Sequence, residues 1–107
     1  MAIFSKELGE RWHAMTLAEQ MGNIGSEVHR ARLSYGRDET RFMNACDRAL
    51  ELFDLTLMDP RWRNGRLREI GRAREVFCDA VFGGKEYGTT FESLEPYFDQ
   101  FALAARK

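Results

Sequence analysis

Apolar residues recur at alternating intervals of four and three positions along one long stretch of this 107-residue chain. Such spacing places them on one face of an α-helix, and Thr16 with Glu19 matches a capping box that would begin this helix. Gly36 supplies the expected end. The pattern predicts an amphipathic helix over 16–35. Its core stripe consists of Leu17, Met21, Ile24, Val28, Ala31 and Tyr35.

Two glycines lie beside this stripe, three positions apart. Gly22 and Gly25 form a second stripe with Ala18 and His29, again at intervals of four and three. A glycine inside a helix costs about 1 kcal/mol relative to alanine, so bare backbone on this face requires an explanation. We predict that another helix packs closely against it. A kink, or a ligand pressed against the backbone, is the alternative.

Start signals predict two further long helices. Asp38 is a suitable N-cap for a helix over 38–58. Asp59 and Pro60 predict a helix over 60–82, because aspartate caps well and proline suits the first helical position. The core stripes are Phe42, Cys46, Ala49 and Phe53 in the first of these helices and Leu67, Ile70, Ala73, Phe77 and Ala80 in the second.

The two ends of the chain complete the predicted fold. Ser93 would cap a last helix over 94–105, which places Pro96 in its first turn, where proline is tolerated. Helically spaced apolar residues predict a leader helix within 1–15. No segment alternates with period two, and short connections make sequential helices antiparallel neighbours. The sequence therefore predicts one all-α domain, an antiparallel four-helix bundle with a short N-terminal helical extension.

Composition restricts the class of protein. Apolar residues make up 44% and charged residues 31% of the chain, which is typical of a globular domain. The net charge of −1 argues against a uniformly basic nucleic-acid binder. Without a long apolar run or the apolar core of a signal peptide, we expect a cytoplasmic protein with no membrane partner. Cys46 and Cys78 then act as buried thiols.

Candidate catalytic groups are few. Glu7 with Glu10, and Glu51 with Asp54, match the acidic pairs with which all-helical nucleotide pyrophosphohydrolases hold magnesium. Acidic residues three positions apart are also expected on any solvated helix face. Two histidines are too few for a di-iron bundle. We therefore expect no enzyme, no catalytic residue, no metal site and no cofactor, and keep the magnesium-dependent hydrolase as the alternative.

An arginine-rich segment, "RWRNGRLREIGRAR", is the feature that most needs an explanation. Its candidate partner-binding residues are Arg61, Trp62, Arg63, Arg66, Arg68, Arg72 and Arg74. Cations at the start of a helix oppose its dipole, so something should compensate them. Three interpretations stay open. The arginines form solvated ion pairs with Asp54 and Asp59, they meet RNA or DNA phosphates with Trp62 available for stacking, or they meet an acidic protein surface.

A second basic group lies near the far end of the first long helix and comprises His29, Arg30, Arg32, Arg37 and Arg41. In an up-down bundle, this group and the arginine-rich segment lie at opposite ends, so only an oligomer would bring them together. The chain also carries more large aromatic residues than a small bundle easily covers, which predicts self-association. These residues are Trp12, Trp62, Phe82, Phe91 and Tyr97.

Three stretches carry a resemblance to known proteins: "MGNIGSEVHRAR", "RALELFDLTLMDPRWR" and "KEYGTTFESLEPYFDQFALAARK". Together they resemble a family of short uncharacterised bacterial helical proteins over 16–107, a family that implies no activity. In size and architecture the chain is also similar to the four-helix-bundle proteins of ribosomal RNA intervening sequences. Those resemble the accessory proteins of diversity-generating retroelements, which form ring oligomers and bind RNA and a reverse transcriptase. Neither resemblance transfers a functional residue.

These observations favour a non-enzymatic interaction module. We expect it to self-associate and to bind a macromolecule, nucleic acid or protein, through the arginine-rich segment.

Overall fold

The computed structural model describes the backbone of residues 6–63, 65–83 and 88–105, and the side chains of 7–63, 65–83 and 88–101. Its helices are α1 (Lys6–Trp12), α2 (Leu17–Ser34), α3 (Glu39–Leu57), α4 (Leu67–Val81) and α5 (Phe91–Ala105), with a single 3-10 turn over Pro60–Trp62. The predicted all-α bundle with a short leading helix is confirmed. The part of the predicted leader helix over 1–5 lies outside the described residues.

Four helices form the bundle as a closed ring in chain order, with α5 packed against both α4 and α2. Neighbours run antiparallel. At one end, the ring of Tyr35 in the α2–α3 connection lies 5.3 Å from that of Phe42 and 5.5 Å from that of Phe91. At the other end, Gln20 near the start of α2 contacts Asp59 just after α3. We call these the Tyr35 end and the Asp59 end.

The core lies between the four helices and is centred on an aromatic group. Phe53 is fully buried, and its ring centroid lies 5.9 Å from that of Phe77 and 6.2 Å from that of Phe98. Aromatic pairs at these distances add about 1 kcal/mol each beyond their burial. One residue from each of α3, α4 and α5 therefore ties these three helices together. The first helix of the bundle contributes Met21, Ile24 and Val28.

The glycine stripe places α2 against α5. A Cβ atom built on Gly25 would lie only 2.7 Å from the Cβ atom of Phe98, so only glycine permits the observed separation of the two helices. At Gly25 the helices thus approach each other closely, while the predicted packing role of Gly22 stays a prediction. Gly22 and Gly25 border a shallow groove between α2 and α5 with a volume of about 480 Å³. His29 and Glu95 line the same groove. His29 is exposed and pairs with Glu95 through Nδ1.

Two helix boundaries differ from those that the sequence predicted. The segment 60–82 is not one helix, because Gly65 has a φ of +139°, which a continuous helix cannot accommodate. The last helix begins at Phe91 instead of residue 94, capped by Thr90 and Ser93, whose side-chain oxygens each accept a hydrogen bond from the other's backbone N–H. Pro96 consequently lies inside α5 instead of in its first turn.

Most of the large aromatic residues that predicted self-association are covered within one chain. Trp12 and Phe91 are buried, and the rings of Trp62 and Tyr97 are half-buried against the core. Phe82, at the end of α4, is 76% exposed. The expectation that one small bundle leaves these rings uncovered is therefore wrong for Trp12, Trp62, Phe91 and Tyr97. It holds for Phe82.

Candidate binding surface

The arginine-rich segment divides into a structural part and an exposed part. Arg61 and Trp62 belong to the 3-10 turn, where they are bound into the end of the bundle. Arg63 and Arg66 lie in the connection before α4, whose N-cap is Arg66. The remaining members, Arg68, Arg72 and Arg74, lie on α4 itself. Arg61 and Arg63 therefore precede the helix whose dipole they were expected to oppose.

Arg61 is held by Asp59, which is only 1% exposed. The Arg61 guanidinium donates from Nε to Oδ1 at 3.0 Å and from Nη2 to Oδ2 at 2.6 Å, and Nη2 also donates to the carbonyl oxygen of Met15. Burial by itself would raise the pKa of Asp59. Hydrogen bonds from Arg61 and Gln20, together with the Arg61 charge, outweigh it and lower that pKa to about 2. The pair is a structural ion pair.

Trp62 is engaged on its face and on its edge. The Arg61 guanidinium carbon lies 4.5 Å above the ring centroid, within the range of a cation–π contact. The indole Nε1 donates to Oε1 of Gln20 at 2.9 Å, and the ring packs against the core. Trp62 is therefore not available as an open platform on which a base could stack.

Gln20 is the centre of a buried polar network at this end. Its Nε2 donates to the carbonyl oxygen of Trp12 at 2.8 Å and to Asp59 at 3.2 Å, while its Oε1 accepts from Trp62. The indole of Trp12 donates in turn to Thr56, whose hydroxyl donates to the carbonyl of Leu52. This network, which we call the Gln20 network, joins the end of α1 and the start of α2 to the end of α3.

Sequence reasoning missed Gln20 and Thr56, although one signal was present. Gln20 follows Leu17 by three positions and precedes Ile24 by four, which places it on the core stripe of α2. A polar residue at a core position is informative, because burial without partners would cost a few kcal/mol. Thr56 carries the same signal, because it follows Phe53 by three positions and so continues the core stripe of α3, and it is fully buried.

Three further arginines of the segment form ion pairs. Arg66 lies 3.3 Å from Glu69, and Arg72 lies 3.9 Å from Glu75, each within one helical turn. Arg74 reaches across to Asp54 on α3, with 3.3 Å between Nε and Oδ1. The expected pairing with Asp54 and Asp59 is therefore present, but only for Arg74 and Arg61.

The side chains of Arg63 and Arg68 are exposed and form no ion pair with any residue that the structure describes. Arg68 and Arg72 are four positions apart on α4 and therefore share one face of the helix. Arg66 and Arg72 are about 60% exposed, at 60% and 58%. We call Arg63, Arg66, Arg68 and Arg72 the arginine surface.

The second basic group lies at the Tyr35 end, away from the arginine surface, as the up-down topology requires. Most of its members are neutralised locally: Arg30 pairs with Glu27, Arg32 with Glu95 and Arg41 with Asp38. The exposed cation Arg37 forms no ion pair with the described residues. The two basic groups do not combine within one chain.

The structure also shows the partners of Glu51 and Asp54, one of the acidic pairs considered for a hydrolase. Glu51 pairs with Arg48 on its own helix at 3.6 Å, and Asp54 pairs with Arg74. Among the described side chains of 7–63, 65–83 and 88–101, no three His, Cys, Asp or Glu residues come together in a way that could hold a metal ion. Glu51 and Asp54 therefore each pair with a neighbouring arginine, and the hydrolase alternative stays a prediction.

Comparisons with known proteins add no relative to this geometry. A scan of protein families, a search of curated proteins and a search of solved structures each found no match. Among the described helices, none is long and apolar enough to cross a membrane.

Proposed function

We propose that this protein is a non-enzymatic helical-bundle module that binds nucleic acid through the arginine surface. The observation that carries the proposal is the exposure of Arg63 and Arg68, neither of which forms an ion pair with the described residues. Arginine presents a planar fork of donors that matches phosphate oxygens and stays charged at any physiological pH.

The paired members of the surface also support the proposal. Arg66 and Arg72 pair with glutamates that are themselves 42% and 61% exposed. Exposed ion pairs of this kind contribute about 0–1 kcal/mol, so a phosphate can replace either carboxylate at small cost. The four arginines occupy consecutive turns of one end of α4 and the connection before it, and together they outnumber Glu69 and Glu75.

Fluorescence anisotropy with a labelled nucleic acid tests the proposal. We expect binding that weakens by about 100-fold for a fourfold rise in salt, because about four phosphate contacts release their counterions. The variant Arg63→Glu with Arg68→Glu should bind on the order of 100-fold more weakly, with a salt dependence reduced by about half.

The chain offers a matched control. Arg37→Glu with Arg41→Glu changes the net charge by the same amount at the Tyr35 end, and both side chains are exposed. This variant should retain most of the wild-type affinity. Equal losses in the two variants would reduce the effect to net charge and contradict the proposal. A wild-type protein that binds no nucleic acid would overturn it and leave an acidic protein partner as the next candidate.

We propose self-association as a second property, supported by a different part of the molecule. Leu33, Tyr35, Met43 and Phe82 are exposed apolar side chains, and each lies near a helix end at the Tyr35 end of the bundle. Exposed apolar groups at one end of a domain are a suitable basis for a contact surface. Light scattering tests it: Phe82→Ser should shift an oligomer toward the monomer, and a wild-type monomer at high concentration contradicts it.

A cytoplasmic location remains part of the proposal. Both described cysteines, Cys46 and Cys78, are free thiols, as expected in a reducing compartment.

A further inference from the structure

The chemistry of the arginine surface also distinguishes between two forms of nucleic acid, provided that the proposed function holds. Proteins that hold single strands combine cations with aromatic side chains on which bases stack, and each stacked base contributes about 1–3 kcal/mol. Proteins that hold a duplex without reading its sequence need only contacts to phosphates and sugars. Whether free aromatic rings lie beside the arginines therefore decides which form of nucleic acid the surface can bind.

No aromatic residue occurs between Arg63 and Val76, so any stacking platform must come from a neighbour. Trp62 is the nearest in sequence, and it is occupied. Its ring lies beneath the Arg61 guanidinium, its indole N–H is bound to Gln20, and part of its surface packs against the core. Releasing the ring for a base would break the contacts that hold the Asp59 end together.

Tyr97 on α5 is a second aromatic residue to consider, because α5 packs against α4. Burial raises its pKa, and the charge of Glu69 in the first turn of α4 raises it further. Its ring makes edge-to-face contacts with Phe98 at 5.3 Å and Phe101 at 5.6 Å. This ring is therefore also committed to packing within the bundle.

We infer that the arginine surface binds the phosphate backbone of double-stranded nucleic acid and not the bases of a single strand. The surface offers cations on a helix face and in the connection before it, and neither Trp62 nor Tyr97 presents a free ring to receive an unstacked base. A duplex carries twice the axial charge density of one of its strands, which favours it wherever phosphate contacts are the whole of the interaction.

Anisotropy measurements with four probes of equal length and sequence test the inference: duplex RNA, duplex DNA and the single strand of each. We expect one or both duplexes to bind about tenfold or more tightly than the corresponding single strand, because stacking contributes nothing. The duplex that binds more tightly identifies the source of the phosphates. Tryptophan emission should stay unchanged at saturation, because no base reaches Trp62.

The possible failures are distinguishable. A single strand that binds as tightly as its duplex, or quenched tryptophan emission with any probe, overturns the inference but leaves the proposed function in place. If no probe binds in a way that depends on Arg63 and Arg68, the proposed function fails and the inference fails with it.

Discussion

Gln20 donates a hydrogen bond from Nε2 to Oδ2 of Asp59 across 3.2 Å and thereby joins the start of α2 to the connection that follows α3. The two residues are 39 positions apart, and both are buried. The same amide binds the carbonyl of Trp12 and the indole of Trp62. One side chain therefore satisfies polar groups from three separate parts of the chain, and these contacts also fix where the arginine-rich segment begins.

Replacing Gln20 should destabilise the protein strongly. Gln20→Leu has a similar shape but leaves Asp59, the Trp62 indole and the Trp12 carbonyl each without one partner. We expect the free energy of unfolding to fall by about 2–4 kcal/mol, since each buried polar group that loses its partner costs about 1–3 kcal/mol. Chemical denaturation measures this. Gln100→Leu, at an exposed position of α5, is the control and should change stability by less than about 0.5 kcal/mol. Similar losses in both variants would contradict the role of the network.

Alanine should have opposite effects at two helical glycines. In Gly25→Ala the new methyl group meets the Cβ atom of Phe98 at 2.7 Å, so α2 and α5 must separate. We expect a loss of about 1–2 kcal/mol, because overpacking outweighs the gain in helix propensity. In Gly71→Ala the methyl group meets nothing within 4 Å, and stability should rise by about 0.5–1 kcal/mol. Thermal denaturation compares them. A stabilised Gly25→Ala would refute the close approach.

Two arginines next to the 3-10 turn should differ sharply on truncation. Arg61→Ala removes the cation that compensates the buried Asp59, and we expect stability to fall by about 2–3 kcal/mol. Arg63→Ala removes an exposed side chain that pairs with no described residue, and its effect should stay below about 0.5 kcal/mol. Urea denaturation separates the two outcomes. Among the folded molecules, Arg63→Ala should lower the affinity for nucleic acid more than Arg61→Ala does. If the two variants had equal effects on stability and on affinity, the division into a structural and an exposed part would be wrong.

Acid should remove stability in a defined window through Asp59. The pKa of Asp59 falls to about 2 in the folded protein from an ordinary value near 3.8, chiefly because hydrogen bonds from Arg61 outweigh the effect of burial. A lowered carboxyl pKa gives stability that is complete above about pH 4 and is lost as the pH falls toward about 2. The contribution is about 2 kcal/mol. Asp59→Asn should be less stable at neutral pH and should lose less between about pH 4 and 2. Parallel curves for the two proteins would contradict this.

The cysteines should react slowly in the folded protein. Burial raises the pKa of Cys46 to about 11, and the charge of Asp47 adds to this effect. Burial also raises the pKa of Cys78. Because the thiolate is the reactive form, we expect iodoacetamide to modify both residues far more slowly at pH 8 in the native protein than in guanidinium chloride. Mass spectrometry after timed quenching measures the two rates. Rapid native labelling of Cys46 would show that α3 opens readily.

The arginine-rich segment shows how far sequence reasoning reaches. The pairing of Arg61 with Asp59 could be predicted because the two residues are close in the chain. The pairing of Arg74 with Asp54 could be predicted because they lie on adjacent helices. The division of the segment into a structural and an exposed part could not be predicted, because the sequence shows Trp62 only as an aromatic residue among cations. The fold occupies that ring with Gln20, a residue 42 positions away. The dipeptide Asn64-Gly65 is a turn signal that would have predicted the break before α4.

The sequence by itself determined that this chain is all-α, where α2 and α3 begin and end, and that α2 packs closely against another helix. Those features depend on apolar periodicity, capping side chains and glycine, which act within a few residues of one another. Only the tertiary structure decided that Gln20 and Asp59 are buried together and which arginines remain exposed. These outcomes depend on contacts between residues far apart in the chain, where burial and pairing are decided by the packed helices and not by local sequence.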